Sequence, residues 1–208
     1  LFHSRGYIHH ELNGQKMHHG VAILSRLPLN DSGRHDWQDN GEARHVGVRL
    51  PCGLRLENVY VPAGGDIPDR TVNRKFGQKL DFIERMTRWS EGLREPTVIV
   101  GDFNSNTIWD FKRPETQNHS GLVRLLASLD LVSAYHQFFG ETQGKESRPT
   151  LFLQRNPAKP YHIDYCFIPK DWAFQLRHVE IGADKVWAKE SDHRPLLIDI
   201  GLPDQTGR

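Results

Sequence analysis

Only two cysteines, Cys52 and Cys166, occur in the 208 residues. They stand far apart and form no Cys-x-x-Cys or Cys/His zinc spacing. That argues against a disulfide framework and fits a reduced, cytoplasmic setting. No apolar run is long enough to span a membrane and no secretory apolar core is visible, so no membrane association is expected. Charge of one sign is also missing. The 27 Lys and Arg residues against 26 Asp and Glu leave a formal net charge of +1. A nucleic acid would have to be met by a local basic face and not by the field of the whole chain. There is no short repeat and no low-complexity tract.

Histidine, by contrast, is plentiful, at twelve residues. The doublets His9-His10 and His18-His19 could suggest a metal site. Adjacent residues in a strand face opposite sides, however, so polar strand and turn positions are the expected reading. The length suits a single α/β domain over 1–208.

Short β-branched runs bounded by turn residues predict strands at Gly20–Ser25, Thr97–Val100, Thr150–Leu153, Tyr161–Ile168, Leu176–Ile181 and Leu196–Ile200. His45–Leu50 and Leu54–Val61, joined by Pro51-Cys52-Gly53, predict a β-hairpin. Leu27 to Gly41 is turn-rich and polar, and predicts a surface loop around Trp37. Val72, Phe76, Leu80, Ile83 and Met86 recur at helical spacing. A second helix is predicted from Leu122, Val123, Leu125, Leu126 and Leu129, with Ser120 as its N-cap. Helices mixed with hairpins favour a mixed sheet over a purely parallel one.

Two clusters carry the chemistry. Gly101-Asp102-Phe103-Asn104 ends the strand at 97–100, and Ser191-Asp192-His193-Arg194-Pro195 precedes the strand at 196–200. Each presents polar side chains at a rigid edge, where they can converge on one cleft. Carboxylates are hard ligands for an ion such as Mg²⁺, and an imidazole beside them supplies a proton near neutral pH. Asp102 and Asn104, two apart, can share a water: one accepts its proton and the other positions it. Asp164 lies within an apolar strand, where an acid needs a partner. His193 is the expected one. The helix carrying Arg70, Arg74, Lys75 and Lys79 could grip phosphates, or could be an ordinary solvated face.

The blocks Gly-Asp-Phe-Asn at 101–104, His-Ile-Asp-Tyr at 162–165 and Ser-Asp-His at 191–193 resemble, in their order, the signatures of the endonuclease/exonuclease/phosphatase superfamily. The stretches His19 to Arg26 and Asn58 to Asp66 are similar to bacterial exonuclease III-type abasic-site endonucleases. The resemblance implies a four-layer α/β/β/α sandwich of two mixed β-sheets flanked by helices. It also implies one site dependent on Mg²⁺, with Mn²⁺ as the alternative. In that site Asp102 activates the attacking water and Asn104 orients it. Asp192 helps hold the metal, His193, held by Asp164, contacts the phosphate, and the Tyr60 hydroxyl touches a phosphate oxygen.

The family's opening Trp/Phe-Asn and Gln-Glu blocks have no counterpart here, and Glu11 is not accepted as a substitute for the missing glutamate. The expectation is therefore an N-terminally incomplete chain, lacking the family's first strands and weakly active or inactive by itself. Beyond Asp102, the segments 105–110, 118–121 and 159–162 resemble shorter bacterial members instead. This leaves substrate choice open, since a fold does not name a substrate. Trp109 and His119 either line the cleft or belong to a helix start and the core. The leading expectation is a Mg²⁺-dependent DNA endonuclease or exonuclease of DNA repair, binding DNA and monomeric when complete. The alternatives are a phosphatase or phosphodiesterase for a small metabolite or lipid headgroup, and a non-catalytic binding domain of the same fold.

Overall fold

The backbone divides into two compact units between Phe103 and Asn104. The structure, a computed structural model, describes residues 3–14, 20–38, 40–41, 43–65, 67–114 and 117–201. His18, His19 and Asp66, noted above, lie outside the described residues. Among the described residues no helix is long and apolar enough to cross a membrane.

In the first unit, β1 (His9–Gly14) and β2 (Gly20–Ser25) form an antiparallel ribbon. Along β2 the side chains alternate, and Val21 and Ile23 turn inward onto Val46 and Val48. This is the period-two pattern of a half-buried strand. His9 is half-buried and His10 exposed, on opposite faces, as expected for strand neighbours. β3 (Asn30–Gly33), β4 (His45–Arg49) and β5 (Arg55–Tyr60) run antiparallel in sequence, so the 45–61 hairpin forms as expected. Two side-chain amides tie the ribbon to it: Asn13 Nδ2 donates to the His45 carbonyl at 2.9 Å, and Asn58 Nδ2 to the Ala22 carbonyl at 3.0 Å.

Helix α1 (Arg74–Ser90) buries Phe76, Leu80, Ile83 and Met86 as one stripe. It does not include Val72, which is 73% exposed. Asn73 adopts an extended conformation and caps the helix, its side chain accepting from the Phe76 N–H. An N-cap is by nature non-helical, so the helix begins after it. Beyond α1, β6 (Thr97–Asp102) runs parallel to β5, which makes the sheet mixed. Trp37 is a core residue and not the centre of a surface loop. It is 6% exposed, with Phe82, Trp89 and His45 rings packed around it. The chain around it is polar, but burying an indole outweighs the polarity of its neighbours.

In the second unit, the 3-10 helix Thr107–Lys112 is capped by Asn106, whose Oδ1 accepts from the Ile108 N–H. Helix α2 (His119–Ser128) is capped by Asn118 and not by Ser120. Ser120 lies inside the first turn, where its hydroxyl bonds the Asp110 carboxylate. That carboxylate also accepts the His119 and Ser120 N–H groups, an anion at a helix N-terminus. Then follow β7 (Leu131–Ser133) and α3 (Ala134–Phe139), closed by Gly140 in the left-handed region.

β8 (Leu151–Phe152) and β9 (Pro160–Tyr161) form a short hairpin, and β10 (Asp164–Pro169) pairs antiparallel with β7. The strand expected over 161–168 is thus broken at His162 and Ile163. β11 (Leu176–Ile181) and β12 (Leu196–Ile200) are antiparallel, with helix α4 (Asp184–Trp187) between them in sequence.

Candidate active site

Asp102 is the last residue of β6 and stands opposite Tyr60, the last residue of β5, in a parallel register. Residues so paired present their side chains on one face. The strand ends are fastened by the Val61 N–H, which donates to the Asp102 carbonyl at 2.8 Å. Both Asp102 and Tyr60 are half-buried. Arg44, which the sequence did not flag, joins them. Its guanidinium lies 4.6 Å from the centre of the Tyr60 ring, and its carbonyl accepts the Tyr60 N–H at 2.8 Å. The first unit thus offers an acid, a phenol and a cation around one strand end.

Asn104 opens the second unit with φ of 45°, a left-handed conformation that Asn tolerates better than most residues. Directly after it, Ser105 and Asn106 are buried. Asn106 Nδ2 donates to the His162 carbonyl at 3.0 Å and to the Glu146 carboxylate at 3.1 Å. Tyr165 Oη donates to the Ser105 carbonyl at 3.2 Å and lies 3.1 Å from Asn106 Nδ2. The polar segment after Asn104 is thereby anchored to the strand that carries Asp164.

That strand meets the Ser-Asp-His block. His193 Nδ1 lies 2.9 Å from Asp164 Oδ2, so these two residues, 29 apart in sequence, form an imidazole–carboxylate pair. Their side chains are 35% and 21% exposed, enough to reach a ligand. A carboxylate on Nδ1 fixes the ring's tautomer and orientation. The block itself is pinned on several sides. Ser191 Oγ accepts the His193 N–H at 3.0 Å, and the Asp192 carbonyl accepts the Phe152 N–H at 2.8 Å. Arg194, 3% exposed, donates from Nη1 to the Ser191 and His193 carbonyls. Asp192 itself is half-buried.

The remaining residues singled out from the sequence fall in different places. Arg74 is exposed and lines a polar cleft of about 390 Å³ with Gln38, Arg70, Gln78 and Asp81. Lys79 is fully buried, its Nζ 3.5 Å from the Ala63 carbonyl, and it presents no surface to a phosphate. The α1 stripe faces the core on that side, which spacing alone could not reveal for a cationic residue. Trp109 is half-buried with its ring 5.1 Å from that of Tyr161. His119 takes the helix-start and core alternative. It is fully buried, with Nδ1 2.9 Å from Ser105 Oγ and Nε2 3.2 Å from Gln143 Oε1.

Burial dominates the electrostatics around the site. It lowers His162, and it drives His119 down to about 4 against smaller upward pulls from Gln143 and Asp110. It raises the Tyr165 phenol well above its usual range and pushes the Cys166 thiol up to about 12. Burial also opposes ionisation of Glu146, but hydrogen bonds from His136, the Gly144 N–H and Asn106 outweigh it and hold the carboxyl at about 2. Cys166, two residues from Asp164, is buried. The donors on the adjoining segments are carboxylate oxygens, the class that suits a hard divalent cation.

Several solved structures are similar to this chain. The 3′ phosphatase NExo from Neisseria, as a variant bound to a product DNA hairpin, superposes with a TM-score of 0.78 at 23% identity. The 3′–5′ exonuclease NExo from Neisseria meningitidis gives 0.77 at 22%, and an AP endonuclease from Archaeoglobus fulgidus gives 0.74 at 21%. Each match covers 97% of this chain and 82% of the other. At these identities the likeness shows the fold, the mixed α/β architecture of these proteins. Among curated proteins none matches by sequence. The family model described as Endonuclease/Exonuclease/phosphatase family matches residues 1–193, nearly the whole length, and the chain belongs to that family.

Proposed function

We propose that this protein is a divalent-metal-dependent phosphodiester hydrolase acting on DNA, of the exonuclease III type that serves DNA repair. Endonucleases, exonucleases and phosphatases all hydrolyse phosphoester bonds, so that chemistry is common to the family. The observation that carries the reading is the His193–Asp164 pair at 2.9 Å, half-exposed and built from two of the signature blocks. The DNA hairpin bound to the Neisseria 3′ phosphatase supports nucleic acid as the substrate class.

In this reading Asp102 takes the proton of an attacking water and Asn104 orients that water toward phosphorus. The water oxygen bonds to phosphorus as the ester P–O bond breaks, and the leaving oxygen is protonated by solvent. His193, its Nδ1–H held by Asp164, donates from Nε2 as the imidazolium to the phosphate oxygen on which charge develops. Tyr60 contacts a second phosphate oxygen through its hydroxyl. Asp192 would hold Mg²⁺ or Mn²⁺, and a bound ion would neutralise phosphate charge and polarise the ester. Arg74, on the exposed start of α1, adds affinity for the backbone without reading sequence.

The test is turnover with Mg²⁺, with Mn²⁺ and with a chelator, by the purified chain alone and by the chain joined to an upstream segment bearing Trp/Phe-Asn and Gln-Glu blocks, the second being the form expected to turn over. Substrates are a duplex bearing an abasic site, a duplex with a recessed 3′ end, a 3′-phosphate hairpin and small phosphomonoesters. DNA cleavage that stops on chelation, and falls by about 10²–10⁴ in Asp102→Ala and His193→Ala, is expected. Cleavage at the wild-type rate by either variant would refute the role given to that residue. Activity confined to the small esters would refute DNA as the substrate.

A further inference from the structure

We infer that Thr150 is a positioning residue for the Asp164–His193 pair, through a hydroxyl that replaces the missing stretch of ladder between β9 and β10. The inference rests on the proposed function only for what the pair does, not for how it is held.

The chain leaves the β8–β9 ladder after Tyr161 and resumes as β10 at Asp164. Backbone N–H groups at such a break lose their strand partners, and buried ones need another acceptor. Thr150 supplies it. Its side-chain Oγ1 lies 3.0 Å from the Ile163 nitrogen and 3.1 Å from the Asp164 nitrogen, and the residue is fully buried. One oxygen thus accepts from two successive amides and sets the bend from which the Asp164 carboxylate projects.

The same residue grips the other partner through its backbone. The Thr150 carbonyl accepts the Arg194 N–H at 2.7 Å, and the Thr150 N–H donates to the Tyr161 carbonyl at 2.9 Å. The next residue, Leu151, is bridged antiparallel to His193 itself. After that, the Phe152 N–H donates to the Asp192 carbonyl. Residues 150–152 are therefore the template along which 192–194 is laid, and the Thr150 hydroxyl ties Asp164 to that template.

The consequence is geometric. The His193–Asp164 bond spans 29 residues, and its length is set by how firmly each backbone is held to a common support. Valine has nearly the shape of threonine but no acceptor, so Thr150→Val removes the clasp and leaves two buried amides unsatisfied. Thr150→Ser keeps the oxygen and drops only a methyl group. Misplacement of a catalytic group by about 1 Å can cost about 10²-fold in rate.

The test uses the full chain, metal-free, and reads the His193 imidazole by ¹H–¹⁵N correlation at a pH where the ring is neutral. The signal is assigned by its loss in His193→Gln. In wild type and Thr150→Ser the ring should be in the Nδ1–H tautomer, donating to Asp164. In Thr150→Val it should become a mixture of tautomers. On a DNA substrate that the wild type cleaves, Thr150→Val should lose about 10–100-fold in kcat, with KM within about twofold and Thr150→Ser restoring kcat. A folded Thr150→Val with the wild-type tautomer would overturn the inference. If that variant does not fold, Thr150→Ser decides: a mixed tautomer there would show that the methyl group and not the hydroxyl does the holding. The tautomer is read without substrate, so failure to find a substrate would overturn the proposed function and leave this inference standing on its own result.

Discussion

Gly101 lies so close to Val59 that a Cβ added at Gly101 would stand 1.8 Å from the Val59 carbonyl oxygen. The two are register partners on β5 and β6, one position before Tyr60 and Asp102. Gly101 also has φ of +142°, a region that side chains other than glycine rarely adopt. The strand end that delivers Asp102 is thus built on a contact that only glycine permits. Gly101→Ala should destabilise the protein by more than about 3 kcal/mol, since backbone strain adds to a clash with backbone that cannot rotate away. Urea unfolding measures it. A loss below about 1 kcal/mol would mean that the close approach is not kept in solution.

A buried acid in the same unit escaped notice in the sequence. Glu57 is fully buried, with His45 Nε2 2.8 Å from one carboxylate oxygen and Arg55 2.7 Å from the other. The His35 N–H donates to His45 Nδ1 at 3.0 Å, so Nε2 carries the proton that goes to Glu57. Gly47 stands opposite Glu57, and a Cβ there would lie 1.9 Å from its carboxylate. Removing one partner of such a pair strands the other without solvent. His45→Ala or Glu57→Ala should each cost about 3–5 kcal/mol, and the double variant clearly less than their sum. Additive losses in a double-mutant cycle by urea unfolding would show that the two side chains do not interact.

Much of this fold was legible where a pattern is local. The strands at 20–25, 176–181 and 196–200 follow from short apolar runs, and the α1 stripe follows from helical spacing. β7 and α3 were not legible, because three and six residues are too few to establish a period. Trp37 misled because its burial comes from Phe82 and Trp89, remote in sequence. The His193–Asp164 pair could be read because an acid among apolar residues needs a partner, and one histidine stood at a rigid edge. Thr150 and Arg194 bond, through a hydroxyl and a guanidinium, to backbone amides and carbonyls, partners that carry no residue identity, so their roles appear only once the chain is folded. Lys79 and Arg74 share a helix and a charge. Which of them faces solvent depended on what packs against α1.

Acid should weaken the second unit in two steps. His119 titrates near 6.5 in an unfolded chain and near 4 when buried, so as pH falls the unfolded state takes up the proton first. Stability contributed by this group is complete above about 6.5 and is lost between there and 4, on the order of 2–3 kcal/mol. Glu146, held at about 2 against an ordinary 4.5, keeps its contribution above 4.5 and loses it below. His162, also lowered by burial, adds to the first step. Unfolding free energy measured from pH 7.5 to 4.5 should therefore decline, and decline less steeply in His119→Gln. An equal slope in the variant would show that His119 is not buried neutral.

Arg74 and Lys79 should respond to substitution in opposite ways, although both sit on α1 and both were expected to grip phosphates. Arg74 is exposed and borders the polar cleft, so Arg74→Ala should change stability by no more than about 0.5 kcal/mol. If it contacts one phosphate, its loss should weaken DNA binding alike on all sequences. It should also reduce the slope of log K against log salt by about 1, the counterion released by that single contact. Lys79 is fully buried, its stem packed on Gly64, where a Cβ would meet Lys79 Cδ at 2.8 Å. Lys79→Ala should cost about 2 kcal/mol or more through lost packing and leave the salt slope unchanged. Anisotropy titrations at four salt concentrations, paired with urea unfolding, separate the two effects. A lower salt slope in Lys79→Ala with full stability would mean that this lysine leaves the core to meet DNA. An unchanged slope in Arg74→Ala would remove α1 from the DNA-binding surface.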